Sequence, residues 1–236
     1  MHILGRNAHD VNTPVLNRAG MVLILYPLKF TAWLKYLWLS SLQATENERI
    51  AKLITKNLMD FQPFRKYSET FVETGTNHGV SVYSALEAGF TIIKSVELDT
   101  KLYNQCLLKF SGNNKVKLYH GKSVDRLPEM IGDIEIPSVF WLDAHPSGPD
   151  TAGHEGWLRG DKTVYQDNIL TEELHIILKH GRHIILVDDQ KGWKTAQQFA
   201  DMIDIYYPDG YEFSIEDEIR PGVHYKEKVL VCIPLG

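Results

Sequence analysis

Residues 70–81 read Thr-Phe-Val-Glu-Thr-Gly-Thr-Asn-His-Gly-Val-Ser, and this stretch decides the fold. An apolar run closes on Glu73, passes through Gly75 and Gly79, and enters a helix-compatible segment at Val80-Ser81, so it reads as strand, tight turn, helix. Glycine lets the backbone turn sharply and pass close under a ligand, and the start of the helix offers free N–H groups to an anionic one. The spacing is not Gly-x-Gly-x-x-Gly, which counts against a dinucleotide. A second run, Thr91 to Glu97, ends in Val96-Glu97-Leu98-Asp99. In a parallel sheet this sets Glu97 beside the first turn, where a carboxylate can accept both hydroxyls of a ribose. A plain structural turn and a solvated strand-end charge are the alternative readings of these two features.

Working outward, the same alternation continues. Strands are expected at about Thr70 to Thr74, Thr91 to Glu97, Val116 to Tyr119, Ser138 to Leu142, His183 to Val187, Tyr211 to Ile215 and Lys228 to Ile233. Helical stripes fall between them: Leu102, Tyr103, Cys106, Leu107 and Phe110, then Leu170, Leu174, Ile177 and Leu178, then Ala196, Phe199, Ile203 and Tyr206. Strands that alternate with helices imply a mostly parallel sheet covered on both faces. The last two strands are joined only by the turn-rich Asp217 to Tyr225, so they are expected to pair as an antiparallel hairpin. The fold class is therefore α/β, with a seven-stranded sheet.

Upstream, a helical segment runs from Thr45 to about Phe61 and ends near Pro63. Met21 to Leu42 is long and apolar enough to suggest a membrane span, but Pro27, Lys29 and Lys35 interrupt it. From Phe30, the residues Trp33, Leu34, Leu37 and Trp38 continue one helical stripe. Residues 1–62 are thus read as an N-terminal helical extension that serves as cap, lid, homo-oligomer contact or membrane-surface helix, and residues 63–236 as the main domain. The chain has 25 Lys plus Arg against 30 Asp plus Glu, a net charge of −5, with no basic block to track a phosphate backbone, so nucleic acid is not an expected partner. Its 2 cysteines, Cys106 and Cys232, lie far apart in apolar segments without metal spacing, which fits a reducing, cytoplasmic location.

These residues resemble class I S-adenosylmethionine-dependent methyltransferases, a Rossmann-like family, and within it the metal-dependent O-methyltransferases of the catechol and macrocin type. Glu-Thr-Gly-Thr-Asn-His-Gly-Val-Ser is similar to the family's first motif, Val-Glu-Leu-Asp to its ribose-binding acid, and Tyr119 to Pro128 to the segment that borders the adenine. The resemblance covers about Thr70 to the C-terminus. It implies that Glu73, Gly75, Thr76, Asn77, Gly79 and Ser81 hold the methionine end of S-adenosylmethionine. Glu97 and Leu98 would meet the ribose side, Ser123 and Val124 the adenine side, and Asp143 would also touch cofactor. Lys122 and Asp125 have no role in that pattern, and the N-terminal region matches nothing in it.

Two further strands end in acids, Trp141-Leu142-Asp143-Ala144-His145 and Leu186-Val187-Asp188-Asp189. Carboxylates at the ends of neighbouring parallel strands suit a hard cation such as Mg²⁺, and the resemblance implies one that binds an acceptor hydroxyl. Adjacent strand residues point to opposite faces, so Asp188 and Asp189 serve one ion only if the strand has already turned; otherwise the pair caps the next helix. His145, two residues beyond Asp143, is placed to take a proton near neutral pH. Pro146 to Thr163 forms a long loop with His154, Trp157 and Arg159, and loops of that length between strand and helix are usually functional. The expected activity is methyl transfer to a hydroxyl of a small-molecule acceptor, because Asp143-Ala144-His145-Pro146 does not resemble the motif of amine methylation. A hydroxylase-like or non-catalytic cofactor-binding relative is the alternative.

Overall fold

The structure, a computed structural model, describes residues 60–144, 166–190, 193–217 and 228–236. The chain divides between Ile50 and Ala51, and the unit Ala51–Gly236 carries the whole sheet. Its elements run α1 (Gln62–Arg65), β1 (Thr70–Thr74), α2 (Val80–Glu87), β2 (Ile92–Glu97), α3 (Thr100–Lys109), β3 (Val116–His120), α4 (Ser123–Ile131) and β4 (Val139–Leu142). They continue with α5 (Gln166–His180), β5 (Ile184–Gln190), α6 (Trp193–Tyr206), β6 (Tyr211–Asp217) and β7 (Lys228–Pro234). The seven strands lie in the order β3-β2-β1-β4-β5-β7-β6. The first five are parallel, β7 pairs antiparallel with β5, and β6 with β7. This is the mostly parallel α/β sheet with a C-terminal hairpin that the sequence predicts.

Strand alternation divides the core into two layers. Phe71, Ile93, Val139, Trp141, Ile184 and Leu186 face one side with Val82 and Ala85 of α2, Cys106 of α3 and Phe110 beyond it. Val72, Val96, Phe140, Leu142, Ile185 and Val187 face the other with Leu127 of α4, Leu170 and Leu174 of α5, and Phe199 of α6. Phe61 belongs to the first layer: it is fully buried, and its ring centroid lies 4.8 Å from Phe71 and 5.3 Å from Trp141. β1 and β4 are neighbours although two strands, β2 and β3, lie between them in sequence, so the direction of winding reverses between them. In open α/β sheets ligands bind outside the carboxyl ends of the strands at such a reversal.

Pro63 sits in the first turn of α1, a position where its missing N–H costs nothing, and the helical segment expected from Thr45 to about Phe61 lies almost wholly outside the described residues. Two local readings change. The α3 stripe is narrower than its apolar residues suggest, because Leu107 is 48% exposed while Leu102, Cys106 and Phe110 are buried. β5 extends past Val187 to Gln190, which pairs with Lys228 of β7 across a register shift. Among the described residues no helix is long and apolar enough to cross a membrane. The stripe from Phe30 to Trp38, His145 and the segment from Pro146 to Thr163 lie outside the described residues.

Candidate functional site

The turn after β1 is built at the reversal point. Gly75 and Thr76 both donate their N–H groups to the Val96 carbonyl, at 3.0 and 3.1 Å, while the Asp143 N–H reaches the Thr74 carbonyl at 3.1 Å. β1 is thereby tied to the ends of both neighbouring strands. Gly75 has φ +86°, and a Cβ added there would stand 2.4 Å from the Asp143 carbonyl oxygen, so a side chain is excluded twice over. Gly79 closes the turn with φ +74° and donates to the Thr76 carbonyl at 2.7 Å, directly before α2. Asn77 between them is also left-handed, at φ +48°.

Glu97 ends β2 nearly buried, at 7% exposure. Its Oε2 accepts the Asn77 N–H at 2.7 Å and its Oε1 the Asp99 N–H at 2.8 Å. Each oxygen is anchored by one backbone donor, and each keeps further acceptor capacity for hydroxyls. Burial raises its carboxyl above the ordinary range, while the hydrogen bonds from Asp99 and Asn77 work against that shift. Asp99 caps α3, accepting from the N–H groups of Lys101 and Leu102 at 2.8 and 2.9 Å. Leu98, 47% exposed, lies between the two acids.

Glu73 is fully buried, and parallel pairing places Ser95 of β2 directly across from it. Both the Ser81 and the Ser95 hydroxyls donate to its carboxylate, and Ser95 also shares a hydrogen bond with the Thr76 hydroxyl. Burial pushes the Glu73 carboxyl up to about 8; the two serine bonds lower it, and the charges of Asp143 and Glu97 raise it further. Ser123, the first residue of α4, is buried, and Val124 follows it half-buried. The structure therefore brings Glu73, Gly75, Thr76, Asn77, Gly79, Ser81 and Glu97 into one connected turn. The donors and carboxylates of that turn fit a cofactor with a ribose and a charged amino-acid end.

Asp143 and Asp188 directly follow Leu142 and Val187, which are paired across β4 and β5, so the two acids leave neighbouring strand ends. Asp188 is buried, and Asp189 turns left-handed at φ +57° within the register shift, so the strand does bend there. Yet among the described residues no three His, Cys, Asp or Glu side chains form a group that could hold a metal ion. The described geometry does not assemble Asp143, Asp188 and Asp189 around a cation.

Two positions escaped the sequence reading. Ser95 looks like a polar interruption in an apolar strand, and it matters because of the residue opposite it. Glu173 sits in the Leu170–Leu174 stripe of α5, fully buried, where its Oε2 accepts the Thr74 hydroxyl at 3.0 Å. A carboxylate inside an apolar helical stripe was the available signal for the second.

Fold and turn together define an open α/β sheet with a glycine-containing turn and a buried carboxylate at the reversal of its winding. No protein-family model matches the chain, and no curated protein matches it. Among solved structures it is similar to an O-methyltransferase from Bacillus cereus in complex with SAH, at 14% identity and TM-score 0.46, over 90% of this chain and 93% of that one. It is also similar to the O-methyltransferase TomG from Streptomyces achromogenes in complex with SAM, at 14% identity and TM-score 0.47, over 72% and 74%. A third likeness is to the methyltransferase domain of bacterial CtHen1, at 10% identity and TM-score 0.49, over 80% and 97%. Likenesses this distant describe an arrangement of strands, so the case for an activity rests on the site.

Proposed function

We propose that this chain is an S-adenosylmethionine-dependent methyltransferase acting on a hydroxyl of a small-molecule acceptor. The observation that carries the reading is the turn from Gly75 to Gly79 at the reversal point, joined to a Glu97 carboxylate whose two oxygens are each fixed by a backbone N–H. When bound, the cofactor supplies a methyl group already activated by its positive sulfur. The chain's contribution is orientation: Glu97 receives the ribose, and the turn with Glu73 and Ser81 receives the methionine end. Leu98 lies on the ribose side, and Ser123 and Val124 border the adenine in this reading. Two further acids at this edge, Glu97 and Asp143, give it the negative character that suits a sulfonium and an ammonium group.

Calorimetric titration with S-adenosylmethionine and S-adenosylhomocysteine is the direct test. Glu97→Ala removes the charged acceptor of both ribose hydroxyls, and its affinity is expected to fall about 10- to 100-fold. Glu97→Gln keeps one acceptor oxygen and should lose less. Equal affinities in all three proteins would remove Glu97 from the cofactor site.

His145 is proposed as the base that takes the acceptor's proton, on its sequence position two residues beyond Asp143. His145→Ala is then expected to lower kcat by roughly 10²–10⁴ with little change in cofactor affinity, and to abolish the acidic limb of the pH–rate profile. A near-normal rate in that variant would leave the hydroxyl to be deprotonated by another group.

A further inference from the structure

The C-terminal end of α3 is built against the ligand turn, and it touches three consecutive residues of it. Cys106 Sγ donates to the Asn77 carbonyl at 3.2 Å, and Lys109 Nζ donates to the His78 carbonyl at 2.6 Å. The Phe110 ring lies under Gly79, where an added Cβ would come within 2.8 Å of it. From the opposite side Glu97 holds the Asn77 N–H.

We propose that Lys109 is a positioning residue for cofactor binding, which fixes the His78–Gly79 peptide so that its carbonyl is kept off the ligand side while its N–H closes the turn on the Thr76 carbonyl. The proposal rests on the cofactor reading above. Its physical basis is the planarity of the trans peptide, in which C=O and N–H point in opposite directions. With the Asn77 carbonyl drawn toward Cys106, the His78 N–H is directed away from α3. With the His78 carbonyl drawn toward Lys109, the Gly79 N–H is directed away as well, and it reaches the Thr76 carbonyl at 2.7 Å. Both carbonyl dipoles, which would repel the carboxylate end of a ligand, are thereby kept on the helix side.

A clamp is needed because glycine tolerates either sign of φ, so the His78–Gly79 peptide can flip at little steric cost. A thiol is a weak donor, and Cys106 alone holds its carbonyl loosely. The lysine ammonium makes the stronger, charge-assisted bond, close to the α3 C-terminus where the helix dipole also favours a cation. Lys109 is half-buried to do so, which lowers its pKa through desolvation.

The test compares Lys109→Met, which keeps most of the apolar stem, with Lys109→Arg, which restores a cationic donor. S-adenosylhomocysteine is titrated calorimetrically into each, and amide hydrogen exchange is followed on the ligand-free proteins. Lys109→Met should bind about tenfold more weakly, and Lys109→Arg within about threefold of the parent. In Lys109→Met the Asn77 and Gly79 amides should exchange about tenfold faster, while those within α3 keep their rates. Binding within twofold of the parent in Lys109→Met overturns the proposal, as does loss of protection spread along all of α3. A parent protein that binds no S-adenosylhomocysteine would bring down the cofactor reading separately. Hydrogen exchange would then still decide the clamp, and unchanged rates at Asn77 and Gly79 would overturn it.

Discussion

At the scale of single residues, burial decides the charge state of the Glu73 carboxyl. It has no exposure to water, its hydrogen bonds come from neutral serines, and Asp143 and Glu97 add like charge nearby. Its carboxyl is raised from 4.5 to about 8, so the folded chain holds a proton that the unfolded chain releases. Between those two values the folded state binds more protons, and stability therefore falls as pH rises through that window. Glu73→Gln keeps the shape and removes the titration. The variant is expected to lose less stability than the parent as pH rises through that window, with the difference read by urea unfolding. Parallel pH dependences in the two proteins would show that Glu73 does not titrate there.

At the scale of elements, the turn between β1 and α2 depends on glycine for two different reasons. At Gly75 the obstacle is backbone, the Asp143 carbonyl oxygen at 2.4 Å from an added Cβ; at Gly79 it is the edge of the Phe110 ring at 2.8 Å, which can tilt. Both positions also carry positive φ, which costs an L-residue roughly 1–2 kcal/mol. Gly75→Ala is expected to cost more than Gly79→Ala, since β1 and β4 must separate to admit it. Denaturant unfolding of the two variants gives the order, and a Gly75→Ala protein as stable as the parent would contradict the close approach. The glycines were legible in the sequence because a strand that ends in Gly-containing punctuation announces a turn. So was Glu97, through its place at the end of the next strand. Ser95 and Glu173 were not, since their roles come from β1–β2 pairing and from α5 docking behind Thr74, and neither relation is written in local spacing. The aspartates of β5 were legible as strand-end acids, but a left-handed Asp189 inside a register shift is set by pairing with β7, far along the chain.

At the scale of the whole molecule, periodicity located all seven strands and the antiparallel hairpin, but not that β7 inserts between β5 and β6. Local patterns fix which residues face a core and leave open which strand lies beside which. Phe61, two residues before the expected start of the main domain at 63, lies fully buried between Phe71 and Trp141, and the chain divides after Ile50. That placement leads to a test by truncation. A protein of residues 51–236 retains every strand and Phe61, so it should unfold cooperatively and bind S-adenosylhomocysteine within a few-fold of the full chain. Phe61→Ala in the full chain should instead cost about 3–5 kcal/mol, because it empties a fully packed aromatic site. The aromatic stripe Phe30, Trp33, Leu34, Leu37 and Trp38, flanked by Lys29 and Lys35, is absent from that truncated protein. Such a stripe beside lysines suits the surface of an anionic bilayer. The full chain is accordingly expected to co-sediment with vesicles containing phosphatidylserine, less so at high salt, and residues 51–236 to stay in the supernatant. Equal partition of the two proteins would take the membrane role away from that stripe and leave it as a cap, a lid or a contact between copies of the chain.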